Sequence, residues 1–409
     1  MSMFNDYFNF NYGADADVDK LWPDMAPAAV VLQLDFLFAI LALLTLAHAC
    51  ALRGGLKGST LVLFLAFHTA CFEHASLFLG GTHCHATSAV LPMITPCSSV
   101  NSVLFYVPWI YTSLEAARRL LATGRIHLLA FPFVVGLLQF GFGVVYEMQG
   151  PTNNFWNWPN PDTAIANHGA IAESLKLLGP WENYPDLAAL EVAKAQHAVA
   201  TIDASGLFAV SSHAQMALEE RLFGFPVLAP YFHFAYGFAW ALPLTLALTL
   251  SYGTTTTIPS LTSIVVSGLH STLLFIIPIE LTRNITNAFG MPYRLGVPVS
   301  LGLSLLPIVL LRNRKRSETK TKTKKGSSSA TAEDADDDTS TNTNTDPLLF
   351  SISFLMHAFM VSFPWRAPTP TPSGLVLLVT TISTLHLAAQ FYCCFVVAMP
   401  SRQSQSTPW

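Results

Sequence analysis

Apolar runs of about 20 residues recur along this chain, separated by short polar or charged segments. Runs of that length mark helices that cross a bilayer, because a helix satisfies its own backbone hydrogen bonds inside hydrocarbon. Nine runs are read, at about 28 to 52, 59 to 80, 99 to 121, 126 to 148, 226 to 250, 258 to 281, 294 to 311, 347 to 364 and 374 to 399. The eighth, "PLLFSISFLMHAFMVSFPW", is short, and Pro364 closes it. The pattern predicts an all-α fold, a polytopic transmembrane helix bundle of eight or nine spans with an extracytoplasmic helical insertion.

Basic residues orient such a bundle, since Lys and Arg near span ends stay on the cytoplasmic side. Arg53 and Lys57 follow the first run, Arg118, Arg119 and Arg125 the third, and Arg312, Arg314, Lys315 and Arg316 the seventh. All three connections are odd-numbered, so one face collects the positive charge and the N-terminus is expected outside. The segments are then a polar acidic N-terminal tail (1–27), helices one to four (28–148), the extracytoplasmic insertion (149–225), helices five to seven (226–311), a disordered cytoplasmic loop (312–346), helices eight and nine (347–399) and a C-terminal tail (400–409). The loop at 312–346 is basic then acidic, with almost nothing apolar to bury. The insertion opens on "QGPTNNFWNWPNP" and continues with two weakly amphipathic stretches, around 163–178 and 186–222, that suit a cap over the bundle or a helical pair lying on the membrane.

Composition agrees. Of 409 residues 52% are hydrophobic and 11% charged, against roughly 25% charged in a soluble chain, and the mean hydropathy is +0.44. The net charge of −4 says little, because charge is segregated along the chain. No secretory signal peptide is evident: the first 26 residues are polar and acidic, and the first apolar run outlasts a signal peptide's hydrophobic region, so it reads as a retained anchor. Six cysteines are too few for a disulfide framework. Cys50, Cys71, Cys393 and Cys394 fall in apolar runs, where buried thiol is ordinary. Cys84 and Cys97 share an outer loop, and a disulfide between them is chemically feasible if that face is oxidising.

Ionisable side chains inside a span are expensive and usually face the bundle interior. The inventory is Asp35; His68, Glu73 and His74; Glu115; Glu147; His233; and His270 and Glu280. Glu73 and His74 lie within about two turns of the outer end of their helix, beneath the loop "GTHCHAT". One reading makes His83 and His85 ligands of a divalent metal, with His74 or Glu73 completing the site, because neutral imidazole suits zinc, copper and iron. The alternative has these rings hydrogen-bonding loop backbone at a wet interface. A second reading makes Glu73 a proton donor, since desolvation keeps a carboxyl protonated; Glu73 tied structurally to His233 or His270 is its alternative. Glu147, at the end of the fourth run, joins Glu73 and His74 as a catalytic candidate. Glu115, followed by Arg118 and Arg119, reads as an interfacial salt-bridge residue. Most tryptophans suit an interfacial belt, whereas Trp156 and Trp158 in "NNFWNWP" form a loop pair able to floor a lipid-binding cleft, with His233, His270 and Glu280 as further substrate-binding candidates. The sequon at 284–286 follows the sixth run so closely that glycosylation is not expected. Phosphate-cradling loops, nucleophile elbows and nucleic-acid modules are absent, so no nucleic-acid partner is expected; the expected partner is the lipid bilayer.

"EHASLFLGGTHCHAT", leading into the "VPWIYTSLEAARRL" helix, resembles the opening pattern of the carotenoid biosynthesis membrane proteins that include the bisanhydrobacterioruberin hydratases. "FWNWP", followed after an insertion by "RLFGFPVLAP", is similar to that family's later tryptophan pair and its "fGvP" segment. The resemblance covers about residues 70 to 240. It implies an α-helical bundle acting on a lipid-soluble polyene, with Glu73 protonating a terminal double bond and water capturing the resulting carbocation. This chain departs from the family in having "THCH" in place of an aromatic, Gly-rich loop. Two function classes therefore stand beside each other: an enzyme on a lipid or isoprenoid ligand with His74, His83 or His85 assisting Glu73, and a proton-coupled carrier using Glu73, His233, His270 and Glu280 as a relay. A receptor-like or purely structural membrane protein is the third.

Overall fold

The computed structural model describes residues 25–78, 84–88, 90–95, 98–157, 228–252, 260–274, 277–278, 281, 293–311, 345–362 and 373–397. The expected N-terminal tail up to residue 24, most of the insertion, the polar loop up to residue 344 and the C-terminal tail lie outside the described residues. Among the described residues nine helices follow in order: α1 (Ala28–Arg53), α2 (Gly55–Phe78), α3 (Val100–Ala122), α4 (Phe131–Thr152), α5 (Leu228–Tyr252), α6 (Leu261–Leu274), α7 (Tyr293–Leu310), α8 (Pro347–Ser362) and α9 (Ser373–Phe391). Short strands β1 (Cys84–His85), β2 (Met93–Thr95) and β3 (Ser98–Ser99) precede α3, and β4 (Trp156–Asn157) follows α4. Each of the nine apolar runs thus contains a helix.

Four of them are long and apolar enough to cross a membrane: Ala28–Arg53, Gly55–Phe72, Leu128–Gly150 and Ser373–Val396. Leu261–Ser271, Val299–Leu310 and Pro347–Ser362 are shorter apolar helices. The third expected run fails the apolar test for a physical reason. Helix α3 carries Asn101, Ser102, Thr112, Ser113, Glu115 and Arg119 and buries all of them, because it is enclosed by other helices and, among the described residues, all of these but Ser113 are hydrogen-bonded within the protein. Elsewhere the bundle turns large apolar side chains outward, among them Leu63, Phe67, Leu273, Leu310 and Leu377. Soluble monomers rarely expose a belt of this kind, and lipid is the solvent that suits it.

Helices α1 and α2 are joined by a single residue, Gly54, at φ +86°, a left-handed conformation that costs glycine nothing. Helix α4 packs most extensively on α5, through glycines that let the backbones close. A Cβ on Gly136 would lie 2.9 Å from the Phe234 carbonyl oxygen, and one on Gly237 would lie 3.0 Å from that of Val135. Phe105 and Trp109 of α3 fill the centre, with Phe105 stacked on Tyr146 of α4 at 4.0 Å.

The two ends of the bundle differ. At one end the connections after α1 and α3 meet the start of α8 and the end of α9. Glu115, 2% exposed, takes Arg53 on one carboxylate oxygen and Arg118 on the other, the latter at 2.7 Å; it is a salt-bridge residue, as its spacing to Arg118 predicts, and it is buried. Arg119 does not join it. Its guanidinium donates to Asp346 at 3.1 Å and to the carbonyls of Cys393 and Cys394. Residues Tyr392–Val396 wind as a π-helical turn, and this wider winding frees the carbonyls that Arg119 takes. Asp346, assigned by composition to the polar loop, instead accepts the Leu349 N–H at 3.1 Å as the cap of α8 and binds His48 at 2.9 Å, whose other nitrogen meets the Tyr111 hydroxyl at 2.6 Å. Burial opposes ionisation of Asp346, but the His48 ring, the Leu349 N–H and Arg119 outweigh it and hold the carboxyl below the usual carboxylate range. This is the basic end. At the opposite end Asp35 is buried and accepts from Ser88 at 2.6 Å and Asn101 at 3.0 Å, fixing the loop before α3 to α1.

Candidate functional site

On α4, Gly143 and Glu147 are four residues apart and share a face. Gly143 lets the His233 ring of α5 lie against the helix: a Cβ there would come within 2.6 Å of His233 Cδ2. One turn on, Glu147 offers its carboxyl to His233 Nε2, and the two form a hydrogen-bonded pair. Both are buried, at 7% and 5% exposure. Trp109 covers the imidazole with ring centroids 4.0 Å apart, held by its indole N–H donating to the Gln139 carbonyl at 3.1 Å. Tyr106 stacks on Trp109 at 5.4 Å and completes the wall. A carboxyl bonded to one imidazole nitrogen orients the ring and leaves Nδ1 as a second proton-transfer position.

A clasp lies over this end of α4. Strands β1 and β4 pair antiparallel, with Cys84 opposite Asn157 and His85 opposite Trp156. The Ala86 N–H extends the pairing to the Phe155 carbonyl at 2.7 Å, and the Ala26 N–H reaches the Asn154 carbonyl at 2.8 Å. Trp156 lies on Gly150, where a Cβ would stand 1.9 Å from its indole nitrogen, and stacks on Tyr146 at 6.3 Å. The His-x-His loop and the tryptophan loop, far apart in sequence, are therefore one feature. Cys84 is disulfide-bonded, while Cys50, Cys71, Cys393 and Cys394 are free; Cys97 lies outside the described residues.

Burial lowers the His85 pKa to about 4, against about 6.5 for imidazole in an unfolded chain. The folded state thus favours the neutral ring. The clasp has its full stability above about pH 6.5 and loses it as pH falls from there toward 4, by on the order of 3 kcal/mol at the low end. Amide exchange at Ala86, corrected for its intrinsic pH dependence, is expected to accelerate across that window, and His85→Phe is expected to flatten the change. Constant protection from pH 7 to pH 4 would show that the ring's ionisation does not reach the clasp.

Of the other expected site residues, Glu73 and His74 fall in the last turns of α2, with side chains outside the described residues, as are His83, Trp158 and Glu280. His270 is on the outward face of α6, its Nδ1 turned back onto the Val266 carbonyl at 2.8 Å, and does not join the Glu147–His233 pair. Among the described residues no three His, Cys, Asp or Glu side chains gather as a metal site. His68 makes a second node. Its Nδ1 meets the Tyr236 hydroxyl at 2.9 Å and its Nε2 the Ser271 hydroxyl at 3.1 Å, with Trp240 4.7 Å away. Tyr236 lies one turn along α5 from His233, so the two imidazoles share an aromatic core.

A third node escaped the sequence inventory. His357 Nε2 and His386 Nδ1 are 2.7 Å apart, linking α8 to α9, and both rings are buried. Phe142 of α4 stands 4.7 Å from one and 5.8 Å from the other. The signal was present, since "LMHAFM" and "TLHLAAQ" place imidazoles in apolar runs just as the run around His68 does. Compared with known proteins, the chain matches no family model, no curated protein and no solved structure.

Proposed function

We propose that this is a multi-pass integral membrane protein of eight or nine spans, with its basic end in the cytoplasm and its clasp outside, and that Glu147 with His233 is an intramembrane proton-transfer centre acting on a lipid or isoprenoid substrate. The observation that carries the reading is the carboxyl–imidazole pair itself, enclosed by Trp109 and Tyr106 one turn below the clasp. Aromatic faces stabilise a developing cation, which is what protonation of an apolar double bond produces. The cysteine pairing at Cys84 supports an oxidising outer side. The gathering of Arg53, Arg118, Arg119 and Asp346 at the other end supports the charge-based orientation. The resemblance to the carotenoid biosynthesis proteins supports a polyene, with Glu73 as that reading's acid.

The test is lipid analysis of cells expressing the wild type, Glu147→Gln, His233→Gln and Glu73→Gln. Loss of a general acid or base slows turnover by about 10²–10⁴-fold, so Glu147→Gln is expected to accumulate an unprocessed lipid while the purified protein elutes as a folded species. If only Glu73→Gln does so, the acid is Glu73. A lipid profile unchanged in all three variants would remove the enzymatic reading. A proton-coupled carrier is the second reading, favoured by the buried His357–His386 pair.

A further inference from the structure

Helices α8 and α9 are antiparallel, joined at the basic end by the Asp346 N–H on the Cys394 carbonyl at 2.9 Å and deeper in by the two histidines. That register sets Ser353 opposite Gln390, one turn from the histidines toward the basic end, and Ser383 one turn beyond them. Ser353 and Gln390 are fully buried, and His357 and Ser383 nearly so. Among the described residues, none hydrogen-bonds the Ser353 hydroxyl, the Gln390 amide, the Ser383 hydroxyl or Nδ1 of His357. A serine or threonine in an apolar helix normally turns back on the carbonyl four residues before it, as Thr45, Thr69 and Thr245 do in this bundle. Ser353 and Ser383 do not. Buried polar groups of this kind are commonly bridged by internal water.

We propose that the seam between α8 and α9 is a water-bearing proton path from the basic end of the bundle to the His357–His386 pair, closed on its far side by Phe142. The stripe begins at Asp346, with His48, Tyr111 and Arg119 around it. It passes Ser353 and Gln390 and reaches His357 after roughly 16 Å at about 1.5 Å per residue. The titratable and charged groups facing it come from its mouth: Asp346 on α8, Cys393 and Cys394 beyond α9, Tyr111 and Arg119 on α3 and His48 on α1. Helix α4 offers none between Pro132 and Val145, and Phe142 lies between the histidines and Trp109, 5.4 Å from the indole. With His357 Nε2–H donating to His386 Nδ1, a proton taken up at His357 Nδ1 makes that ring an imidazolium. Passing the Nε2 proton to His386 returns His357 to neutrality and moves the positive charge one ring onward. One proton enters, one charge advances, and no other bond changes. The proposal goes beyond the Glu147–His233 reading and does not depend on it.

Two measurements on the full chain in liposomes test it. In the first, Ser353→Cys and, as a control in the apolar core of α4, Val135→Cys are exposed to a small cationic thiosulfonate, and modification at each site is read by mass spectrometry. A thiol must ionise to react and does so only where water reaches it, so Ser353→Cys is expected to react about tenfold faster or more. In the second, proton flux down an imposed pH gradient is followed with an enclosed dye. Phe142→Ala is expected to raise flux about tenfold over the wild type by opening the closed side, and adding His357→Leu is expected to abolish the gain. Equal reaction of the two thiols, no gain in Phe142→Ala, or a gain that survives His357→Leu overturns the proposal. Should Phe142→Ala fail to fold, the thiol comparison alone decides.

Discussion

Glu115→Ala is expected to destabilise the full chain by about 3–5 kcal/mol, because it strands two guanidiniums at a buried site. Glu115 is 2% exposed and is the acceptor for both Arg53 and Arg118. With its carboxylate gone, Arg53 retains only the Tyr111 hydroxyl at 3.4 Å among the described residues. Burying an unmatched charge costs far more than a surface ion pair is worth, which is about 0–1 kcal/mol. The variant is best followed by thermal unfolding of detergent-purified protein through tryptophan fluorescence. Replacing the triad together, Arg53→Met and Arg118→Met with Glu115→Leu, is expected to recover most of the loss, since an apolar replacement of a buried ion network is often neutral. A loss below about 1 kcal/mol in Glu115→Ala would mean that solvent reaches the network and that this end of α3 is open.

Gly58→Val is expected to be as damaging, by a different route. A Cβ on Gly58 would stand 2.4 Å from the carbonyl carbon of Ala49 and 2.4 Å from the nitrogen of Cys50. These are backbone atoms of α1, and no rotamer change moves them aside. Helices α1 and α2, already joined through the single residue Gly54, would have to part, and overpacking of this kind costs about 3 kcal/mol or more when the backbone itself must shift. The sharpest comparison is Gly302→Ala on α7, where nothing lies within 4 Å of the added atom. There helix propensity favours alanine by roughly 0.5–1 kcal/mol. Equal behaviour of the two variants in yield and thermal stability would refute close packing of α1 on α2.

The candidate site was legible in parts rather than as a whole. Glu147 and His233 both stood out as ionisable residues in apolar runs, but they are 86 positions apart, and nothing in the spacing announced that Gly143 would let one ring reach the other helix. The tryptophan loop and the His-x-His loop were also picked out singly, and only the β1–β4 ladder shows that they form one clasp. His270 looked inward by the same rule as His233. It points outward because its ring nitrogen is satisfied one turn back by the Val266 carbonyl, which lets a polar side chain face away from the bundle. Asp346 is the opposite case, an acid in a polar, charge-rich segment that the fold takes as the hub of three elements.

Hydropathy by itself determined that helices dominate, where each begins and ends to within a turn or two, and which connections carry the positive charge, because desolvating the backbone leaves an apolar segment of that length few options but a helix. It did not decide which helices meet lipid. Helix α3 is polar enough to fail as an isolated span and yet occupies the centre, since Asn101 bonds Asp35, Glu115 bonds Arg53 and Arg119 bonds Asp346, all on other elements. Nor did it decide which ionisable groups touch. Those pairings depend on helix rotation and on glycines that bring backbones within van der Waals contact, and both are set by packing between segments far apart in the chain.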